Sequence, residues 1–343
     1  MSIKEYKLTL KTLTNLHIGS GETLLSFDYF LGNEQFLFVD DNLLAGELIK
    51  RNLENDFIEL INKRTSNQSR NIRLVLRELG FDNLNPIVSH IIDGKIKYGK
   101  NGKGMFKPIE TFIRNGNGDV YVPGSSIKGF ISNVLNLSEK EQKEVGNYLS
   151  ISDSNIIDIK NLWITTVSYY QNASDDKKPA LPNDGQSNYV EFIKPKTKIT
   201  FNVKVDTKYI DLNLFKENLV NFNYNYHELF ERKFEAKNTR GQYNCLDDYD
   251  EVYNGDIFRL GKYTSFLLKT DYLSHQYKSG EELFNAVKSV RRFAGSRKIK
   301  QNLEKKSNQK QRYPLALKVS LIPQGYYTEN GICAYNFEEI KWD

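Results

Sequence analysis

The sequence predicts an α+β protein with two domains. Apolar and polar residues alternate with the period of a half-buried strand at residues 6–10 and again at residues 199–205, and apolar residues recur at helical spacing over residues 127–135. A chain of 343 residues with 39% hydrophobic content is long and apolar enough for two packed cores. We therefore expect each half of the chain to open with a strand and to contain packed helices.

Composition excludes several classes of protein. The formal net charge of +5 permits a polyanionic partner without requiring one. Cys245 and Cys333 are the only cysteines, which excludes a disulfide framework and a cysteine-rich zinc site and indicates a reducing compartment. No apolar run has the length of a signal-peptide core or of a membrane span. We expect a cytoplasmic protein with no membrane contact, no metal and no cofactor.

The first elements follow in order from the amino terminus. The opening strand ends in a glycine-bracketed loop, residues 15–21, which contains His17; this residue could transfer protons, stack on a base or form structural hydrogen bonds. Residues 27–39 alternate around Gly32-Asn33, which is typical of a hairpin. Asp40 and Asp41 then cap a helix, and a second helix is predicted over residues 70–79 with Gly80 as its end.

A basic segment precedes the middle of the chain. Residues 94–107 interleave five lysines, the last of which is Lys107, with glycines and two aromatic residues. This composition fits a mobile finger that tracks single-stranded nucleic acid, and it fits a plain surface loop equally well. The strand that follows ends at Arg114, and a turn at residues 115–119 leads into a second short strand over residues 120–122.

The sequence from Tyr121 to Phe130 reads YVPGSSIKGF and predicts a strand, a tight turn and a helix. Ser125 and Ser126 occupy the expected N-cap, and the first helical turn presents unpaired N–H groups that can bind a phosphate. Gly124 would allow close approach of the ligand, and Lys128 would add a positive charge. An ordinary capped helix is the alternative, and the spacing of a Walker loop is absent.

The second half repeats the pattern of strands and helices. A capping box at residues 138–141 is followed by a polar, proline-containing linker at residues 172–188, so we place the domains at 1–190 and 191–343. The remaining elements are predicted as follows: helix 211–234, strand 257–261, amphipathic helix 281–293, strand 315–321 and a last hairpin around residues 329–331. Residues 288–312 carry ten basic residues against one acidic residue, which indicates either a polyphosphate-binding segment or a solubilising loop.

Several short motifs, in this order along the chain, resemble the RAMP superfamily of CRISPR-associated RNA-binding proteins. They include the loop 16–21 and the YVPGSSIKG segment, of which the Pro-Gly-Ser-Ser-x-Lys-Gly element is the strongest. Within the superfamily, further motifs resemble the fifth subunit of the type III-A (Csm) effector complex: residues 151–154, 260–270, 314–318 and 331–333. One departure is that Lys262, Tyr263 and Ser265 stand where glycines or small residues are usual, which leaves open whether this loop cradles RNA.

The resemblance implies two ferredoxin-like (RRM-like) domains with antiparallel sheets and inserted basic loops. It implies a non-catalytic subunit that caps the 3′ part of the CRISPR RNA, contacts the adjacent backbone RAMP subunit and other Csm subunits, and supports 3′ maturation in antiviral defence through recruited host nucleases, with target RNA as a further partner. The residues expected to contact RNA are His17, Gly19, Ser20, Lys107, Arg114, Gly124, Ser125, Ser126, Lys128, Lys262, Thr264, Arg291, Arg292 and Arg297.

Two catalytic alternatives remain open at this stage. The first is a backbone RAMP subunit that cleaves target RNA with a metal ion near Asp28, although aromatic residues surround that carboxylate. The second is a metal-independent endoribonuclease that cleaves CRISPR repeats with His17 as general acid or base, although the other histidines share no motif with it. A scaffold protein without RNA contact is the third alternative.

Overall fold

The computed structural model describes residues 2–63, 72–99, 104–135, 144–171, 188–226, 257–264 and 316–341. The α-helices in these ranges are α1 (Asp41–Arg51), α2 (Glu54–Lys63), α3 (Ile72–Glu78), α4 (Gly124–Val134) and α5 (Leu212–Tyr226). The strands are β1 (Ile3–Thr12), β2 (Gly19–Leu24), β3 (Tyr29–Leu31), β4 (Gln35–Val39), β5 (Val88–Asp93), β6 (Ile109–Phe112), β7 (Leu149–Ile151), β8 (Leu162–Gln171), β9 (Tyr189–Ile193), β10 (Lys198–Asp206), β11 (Ile257–Arg259), β12 (Ala316–Leu321), β13 (Tyr327–Glu329) and β14 (Ile332–Glu339). The predicted α+β class is confirmed.

The first sheet has five strands in the order β11-β14-β1-β10-β7, and all neighbours are antiparallel. The alternation predicted for its two longest strands is observed, because Leu8 pairs with Phe201 and Leu10 with Ile199, and all four side chains are buried. One face of this sheet carries α4 and α5. Helix α4 contacts this sheet through aromatic side chains, with the ring of Phe130 centred 4.7 Å from that of Phe258 in β11.

The second sheet has six strands in the order β13-β12-β8-β9-β6-β2. Its neighbours are antiparallel except for β6 and β9, which run parallel. The predicted domain boundary at residues 190 and 191 falls inside β9, and both large sheets combine strands from the two sides of that boundary. Strands from the two sides of the predicted boundary therefore share sheets, and the division into two domains and their ferredoxin-like form stay predictions.

A third sheet, β3-β4-β5, packs with α1, α2 and α3 around a separate hydrophobic cluster. The predicted hairpin of β3 and β4 is confirmed, and so is the cap of α1, because the Asp40 carboxylate accepts hydrogen bonds from the N–H groups of Asn42 and Leu43 at 2.9 and 3.0 Å. Helix α3 ends as predicted before Gly80, whose φ of +77° is left-handed. None of the described helices is long and apolar enough to cross a membrane.

Several local predictions were wrong. Residues 120–122 form no strand, although Val120 makes isolated bridges. Helix α4 begins at Gly124, ahead of both serines, with Pro123 instead of a serine as its N-cap. The last hairpin is also wrong, because β13 pairs with β12 in the second sheet whereas β14 pairs with β1 and β11 in the first. The chain passes from the second sheet to the first at Gly331, whose φ of +79° is left-handed.

Other predictions concern segments outside the described residues. These are the capping box at 138–141, the linker at 172–187, the end of the helix after residue 226, the amphipathic helix 281–293 and the basic segment 288–312 with Arg291, Arg292 and Arg297. The tip of the predicted basic finger, 100–103, also lies outside them. Its described base is packed: the N–H of Lys95 donates to the Ile164 carbonyl, and Ile96 is buried.

Candidate nucleic-acid interface

Three loops that the sequence singled out converge on one cleft of about 510 Å³. They are the glycine-bracketed loop between β1 and β2, the first two turns of α4 and the loop that follows β11. None of the described residues that line this cleft carries a carboxylate. The lining residues are Ile18, Gly19, Gly21, Ser125, Ser126, Gly129, Phe130, Asn133, Arg259, Leu260, Gly261, Lys262 and Thr264.

The first wall of the cleft is the glycine-bracketed loop between β1 and β2. His17 lies behind this wall and does not line the cleft. Its side chain is 1% exposed, and Nδ1 is 2.7 Å from the backbone carbonyl of Glu191, so this nitrogen carries the proton and donates it. The ring packs between Phe112 and Phe192, with centroids 5.9 and 5.8 Å away. A side chain at Gly19 would meet Nε2 of His17 at 3.1 Å, which explains the glycine in this wall. His17 is a buried structural residue that supports the loop.

Burial lowers the pKa of the His17 imidazole to about 4. The ring is therefore neutral at pH 7, and its remaining nitrogen, Nε2, has no hydrogen-bond partner among the described residues. A general acid or base must reach the proton that it transfers, either directly or through one water. The enclosed ring thus gives no geometric support to an endoribonuclease mechanism that uses His17.

The His17 pKa predicts a stability that depends on pH. The unfolded chain binds a proton at His17 below pH 6.5 whereas the folded chain does so only near pH 4, so the free energy of unfolding falls as the pH drops through this window. Between pH 7 and pH 5 the wild type should lose about 2 kcal/mol more than His17→Phe, which does not titrate. Denaturant unfolding of both proteins at the two pH values measures the difference; equal losses would show that His17 is not kept neutral by the fold.

The second wall is the start of α4. Gly124 does not face the cleft, because a side chain at this position would lie 2.3 Å from the carbonyl oxygen of Ile151 and 2.5 Å from that of Ser152. Its N–H donates to the carboxylate of Asp153 at 3.0 Å, so this N–H already has an anionic partner. The close approach that requires a glycine here is therefore to the end of β7, and a substitution at Gly124 would test packing before it tests RNA contact.

The motif at residues 151–154 holds this helix start in place. Asp153 caps Gly124, and the Ser154 hydroxyl accepts from the N–H of Val122 at 2.9 Å. The Ser152 hydroxyl accepts from the N–H of Asn202 in β10 at 2.9 Å, which anchors the motif on the first sheet. The motif that carried part of the family resemblance is thus architectural.

The next residues of α4 line the cleft. Ser125, Ser126 and Gly129 line it, whereas Lys128 is partly buried in the same turns and is not among the lining residues. Gly129 is exposed, and a side chain placed on it would meet nothing within 4 Å. A solvent-facing glycine in a helix costs about 1 kcal/mol of stability relative to alanine, and packing does not require a glycine here. Its effect is to leave this wall of the cleft without a protruding side chain.

The third wall is the loop from Leu260 to Thr264, and it is fixed to the first. The N–H of Lys262 donates to the His17 carbonyl at 2.9 Å. Gly261 has a φ of +96°, and a side chain there would lie 2.3 Å from that same carbonyl oxygen. The backbone of His17 therefore sets the distance between two walls of the cleft, and only glycine fits at residue 261.

Two charged residues at the third wall, one at the end of β11 and one in the loop that follows, already have partners. Arg259 is 4% exposed; its Nη1 lies 3.4 Å from a Glu329 oxygen, and its guanidinium stacks 4.0 Å above the Tyr226 ring. Lys262 is exposed at the mouth of the cleft, where its Nζ lies 2.5 Å from Oε2 of Glu110. The charge of Arg259 is thus used to compensate a buried carboxylate, and that of Lys262 is the accessible one.

The other predicted site residues lie elsewhere. Both the N–H and the carbonyl of Lys107 bond to the Tyr29 hydroxyl, and the Ser20 hydroxyl bonds to that of Thr111 at 2.7 Å. The guanidinium of Arg114 forms two bonds to the carboxylate of Glu191, at 2.6 and 2.8 Å. The cleft brings together Gly19, Ser125, Ser126, Lys262 and Thr264 of the predicted set, while Lys107, Arg114 and Gly124 are not among its lining residues.

Asp28, the residue of the metal-dependent alternative, stabilises a turn. One of its carboxylate oxygens accepts from the N–H of Leu25 at 2.5 Å, and its own N–H donates to the Leu25 carbonyl. Over the part of the chain that the structure describes, no three His, Cys, Asp or Glu side chains are grouped so that they could hold a metal ion. The geometry around Asp28 gives no support to a metal site there.

Sequence reasoning missed residues that shape the cleft. Gly129 belongs to the YVPGSSIKG segment and Arg259 to the predicted strand 257–261, yet neither was assigned to the site. Glu110 and Asp153 were not assigned to it either, because each acts on a residue far away in the chain. The alternation around residues 109–112 could have shown only that Glu110 lies on the opposite face from Ile109, not that it meets Lys262.

The sequence model of the RAMP superfamily matches residues 9–267, which contain all three walls of the cleft. The chain belongs to the RAMP superfamily. The resemblance of its sequence motifs to this superfamily is thereby confirmed. The glycine loop, the start of α4 and the loop after β11, which this fold places side by side, all lie within the matched range.

Two similar curated proteins are both named CRISPR system Cms protein Csm5. The one from Streptococcus thermophilus is 28% identical over 242 residues, covering 60% of this chain and 65% of the relative. The one from Enterococcus italicus is 29% identical over 226 residues, covering 60% of each chain. The matches thus span less than two thirds of the length of either relative.

Two solved structures have a similar fold. The crystal structure of T. onnurineus Csm5 is 16% identical with a TM-score of 0.59, covering 95% of this chain and 99% of that chain. A chain of a cryo-EM Csm–crRNA–target RNA ternary complex of a type III-A CRISPR-Cas system is 17% identical with a TM-score of 0.61, covering 96% and 100%. At these identities the likeness establishes the fold alone, which is that of Csm5.

Proposed function

We propose that this RAMP protein is a non-catalytic RNA-binding subunit of a type III-A CRISPR effector complex, in which the cleft holds the 3′ part of the CRISPR RNA. The observation that carries the proposal is the convergence of three family motifs on one glycine-rich cleft without a lining carboxylate among the described residues. Glycines let a ligand backbone approach, hydroxyls of Ser125 and Ser126 donate hydrogen bonds, and Lys262 supplies an accessible positive charge. These groups suit a phosphodiester backbone.

The proposed role in the complex is supported by the similar proteins. Proteins of this fold are named Csm5, and a similar chain belongs to a complex that contains crRNA and target RNA. We infer that the partners here are the CRISPR RNA, the adjacent backbone RAMP subunit and other Csm subunits in the cytoplasm. Capping of the RNA 3′ end and support of its maturation by recruited nucleases are part of the same proposal.

Gly129 gives the sharpest test of the cleft. Gly129→Glu should weaken the binding of a single-stranded RNA at least about tenfold, because it places a carboxylate against the RNA backbone at a position with open space. Gly129→Gln, which has the same shape without the charge, should retain most of the affinity. Neither change should destabilise α4, since both residues favour a helix more than glycine. Fluorescence anisotropy with a labelled RNA and the full chain measures the affinities.

Gly46 provides the matched control. It is a helical glycine of α1 that also has nothing within 4 Å, and it lies outside the cleft. Gly46→Glu should leave RNA affinity almost unchanged. Equal weakening by Gly46→Glu and Gly129→Glu would remove the cleft from the proposal. Shortening of the RNA by the pure protein with Mg²⁺ would contradict the non-catalytic role, and its loss in Asp28→Ala or in His17→Ala would identify which alternative applies.

A further inference from the structure

Glu110 of β6 reaches the mouth of the cleft from the second sheet and bonds to two residues of the third wall. Its Oε2 accepts from Nζ of Lys262 and from the hydroxyl of Tyr263, each at 2.5 Å. Both donors therefore meet at a single carboxylate oxygen. Lys262 and Tyr263 are adjacent in the chain, so the loop after β11 presents an ammonium and a phenol to one anion.

The surroundings of this anion are positive. The Nζ of Lys318 in β12 lies 5.8 Å from the centroid of the Tyr263 ring, and that of Lys262 lies 5.5 Å from it. Burial and the neighbouring charge of Lys262 lower the pKa of the Lys318 ammonium. Two lysines and a phenol thus flank one carboxylate, which is more positive charge than Glu110 alone compensates.

The ion pair between Glu110 and Lys262 is accessible to solvent. The Lys262 side chain is 54% exposed and that of Glu110 is 22% exposed, so solvent and solutes reach the pair. Exposed pairs of this kind contribute little to stability. Burial alone would raise the pKa of the Glu110 carboxyl, but hydrogen bonds from Lys262 and Tyr263 hold it below its usual range, so the group is an anion at neutral pH. A phosphate offers the same two donors an equivalent acceptor.

We propose that Glu110 is an internal counter-ion that occupies the position of an RNA phosphate at Lys262 and Tyr263. When RNA enters the cleft, a phosphodiester replaces the Glu110 carboxylate as the partner of Lys262, and Lys318 contributes to the positive surface there. Glu110 thereby opposes binding, so that RNA must make contacts along the cleft as well as at this position. The inference rests on the proposed function, because it concerns the same cleft.

The test is Glu110→Gln in the full chain. The amide keeps the shape and can still accept from Tyr263, but it removes the competing negative charge. Single-stranded RNA should bind about fivefold more tightly at low salt. The slope of log affinity against log salt should become steeper by about 0.7, because the wild-type Glu110 carboxylate, once RNA displaces it from Lys262, takes up a cation and so offsets the counter-ion that one phosphate releases. Fluorescence anisotropy across a salt series gives both quantities.

Two controls separate this effect from a change in net charge. Glu339→Gln removes the same charge from another exposed pair, with Lys4 at 3.0 Å, and should leave RNA affinity almost unchanged. In a Lys262→Gln background, Glu110→Gln should have no further effect on the slope, because the lysine that it releases is absent. Thermal unfolding of each variant checks that the fold is retained.

Several results would overturn the inference. If Glu110→Gln binds RNA as the wild type does, Glu110 does not compete with phosphate; if it binds more weakly, Glu110 positions Lys262 instead of opposing RNA. Either result together with weakened binding by Gly129→Glu would leave the proposed function standing. A wild-type protein that binds no RNA would overturn both the proposed function and this inference.

Discussion

Gly331→Ala should destabilise the protein by roughly 4 kcal/mol or prevent folding. Gly331 has a φ of +79°, and a methyl group on it would lie 1.8 Å from the carbonyl oxygen of Leu260 and 2.7 Å from Cγ2 of Thr264. A left-handed alanine costs about 1–2 kcal/mol, and forced displacement of packed atoms typically costs a further 1–3 kcal/mol. Chemical denaturation of the purified variant measures the loss, and soluble yield reports a failure to fold.

Gly325→Ala is the matched control. Gly325 has a φ of +92° in the turn between β12 and β13, and a side chain there would meet nothing within 4 Å. Its replacement should cost only the backbone term, about 1–2 kcal/mol. The difference between the two variants isolates the contact with Leu260. Equal losses would mean that the Gly331 contact relaxes at no cost.

Gly331 also links stability to the cleft. Its carbonyl accepts from the N–H of Leu260 at 2.8 Å, and its own N–H donates to the carbonyl of Asn15 at 2.7 Å. It therefore connects β14 to two loops of the cleft, the one after β1 and the one after β11. A substitution there that still folds should displace Leu260 and Thr264, both of which line the cleft.

Local patterns in the sequence were sufficient for the elements near the cleft. Alternation identified β1 and β10, apolar spacing identified α4 and α5, and the glycines marked the loops that form its walls. Such signals are local, since they depend on neighbours within one turn or one strand. Family motifs in turn indicated which loops to group, although they could not show that the loops share one cleft.

Contacts between distant residues could not be predicted in this way. The end of β7 explains Gly124, and the carbonyl of His17 explains Gly261; in both cases the partner is far away in the chain. Strand β13 belongs to the second sheet because it pairs with β12, and β14 belongs to the first because it pairs with β1. The short turn between β13 and β14 does not reveal these pairings. Charged residues were the least predictable, because a free cation and a paired one look the same in a sequence.

Arg114 is the clearest case of a charged residue whose partner the sequence did not reveal. Its removal should lower the free energy of unfolding substantially. Its guanidinium pairs with the carboxylate of Glu191, whose side chain is 1% exposed, and Glu191 also accepts from the N–H of Phe112 at 2.7 Å. Arg114→Ala leaves that carboxylate buried with one hydrogen bond, from Phe112, among the residues that the structure describes. Breaking one partner of a buried pair costs about 3–5 kcal/mol, so we expect a loss of this size in chemical denaturation.

The comparison with other variants identifies the cause. Lys4→Ala breaks an exposed pair with Glu339 and should cost less than about 1 kcal/mol. The double variant Arg114→Met/Glu191→Leu should recover much of the stability, because it removes the uncompensated carboxylate and keeps apolar volume. A stable Arg114→Ala protein with weakened RNA binding would instead return Arg114 to the RNA contacts that the sequence predicted. The alternative outcome is that the double variant restores both stability and RNA affinity. This outcome would show that Arg114 affects RNA binding only through the fold. The connection is Glu191, whose carbonyl also binds His17 and thereby supports two walls of the cleft.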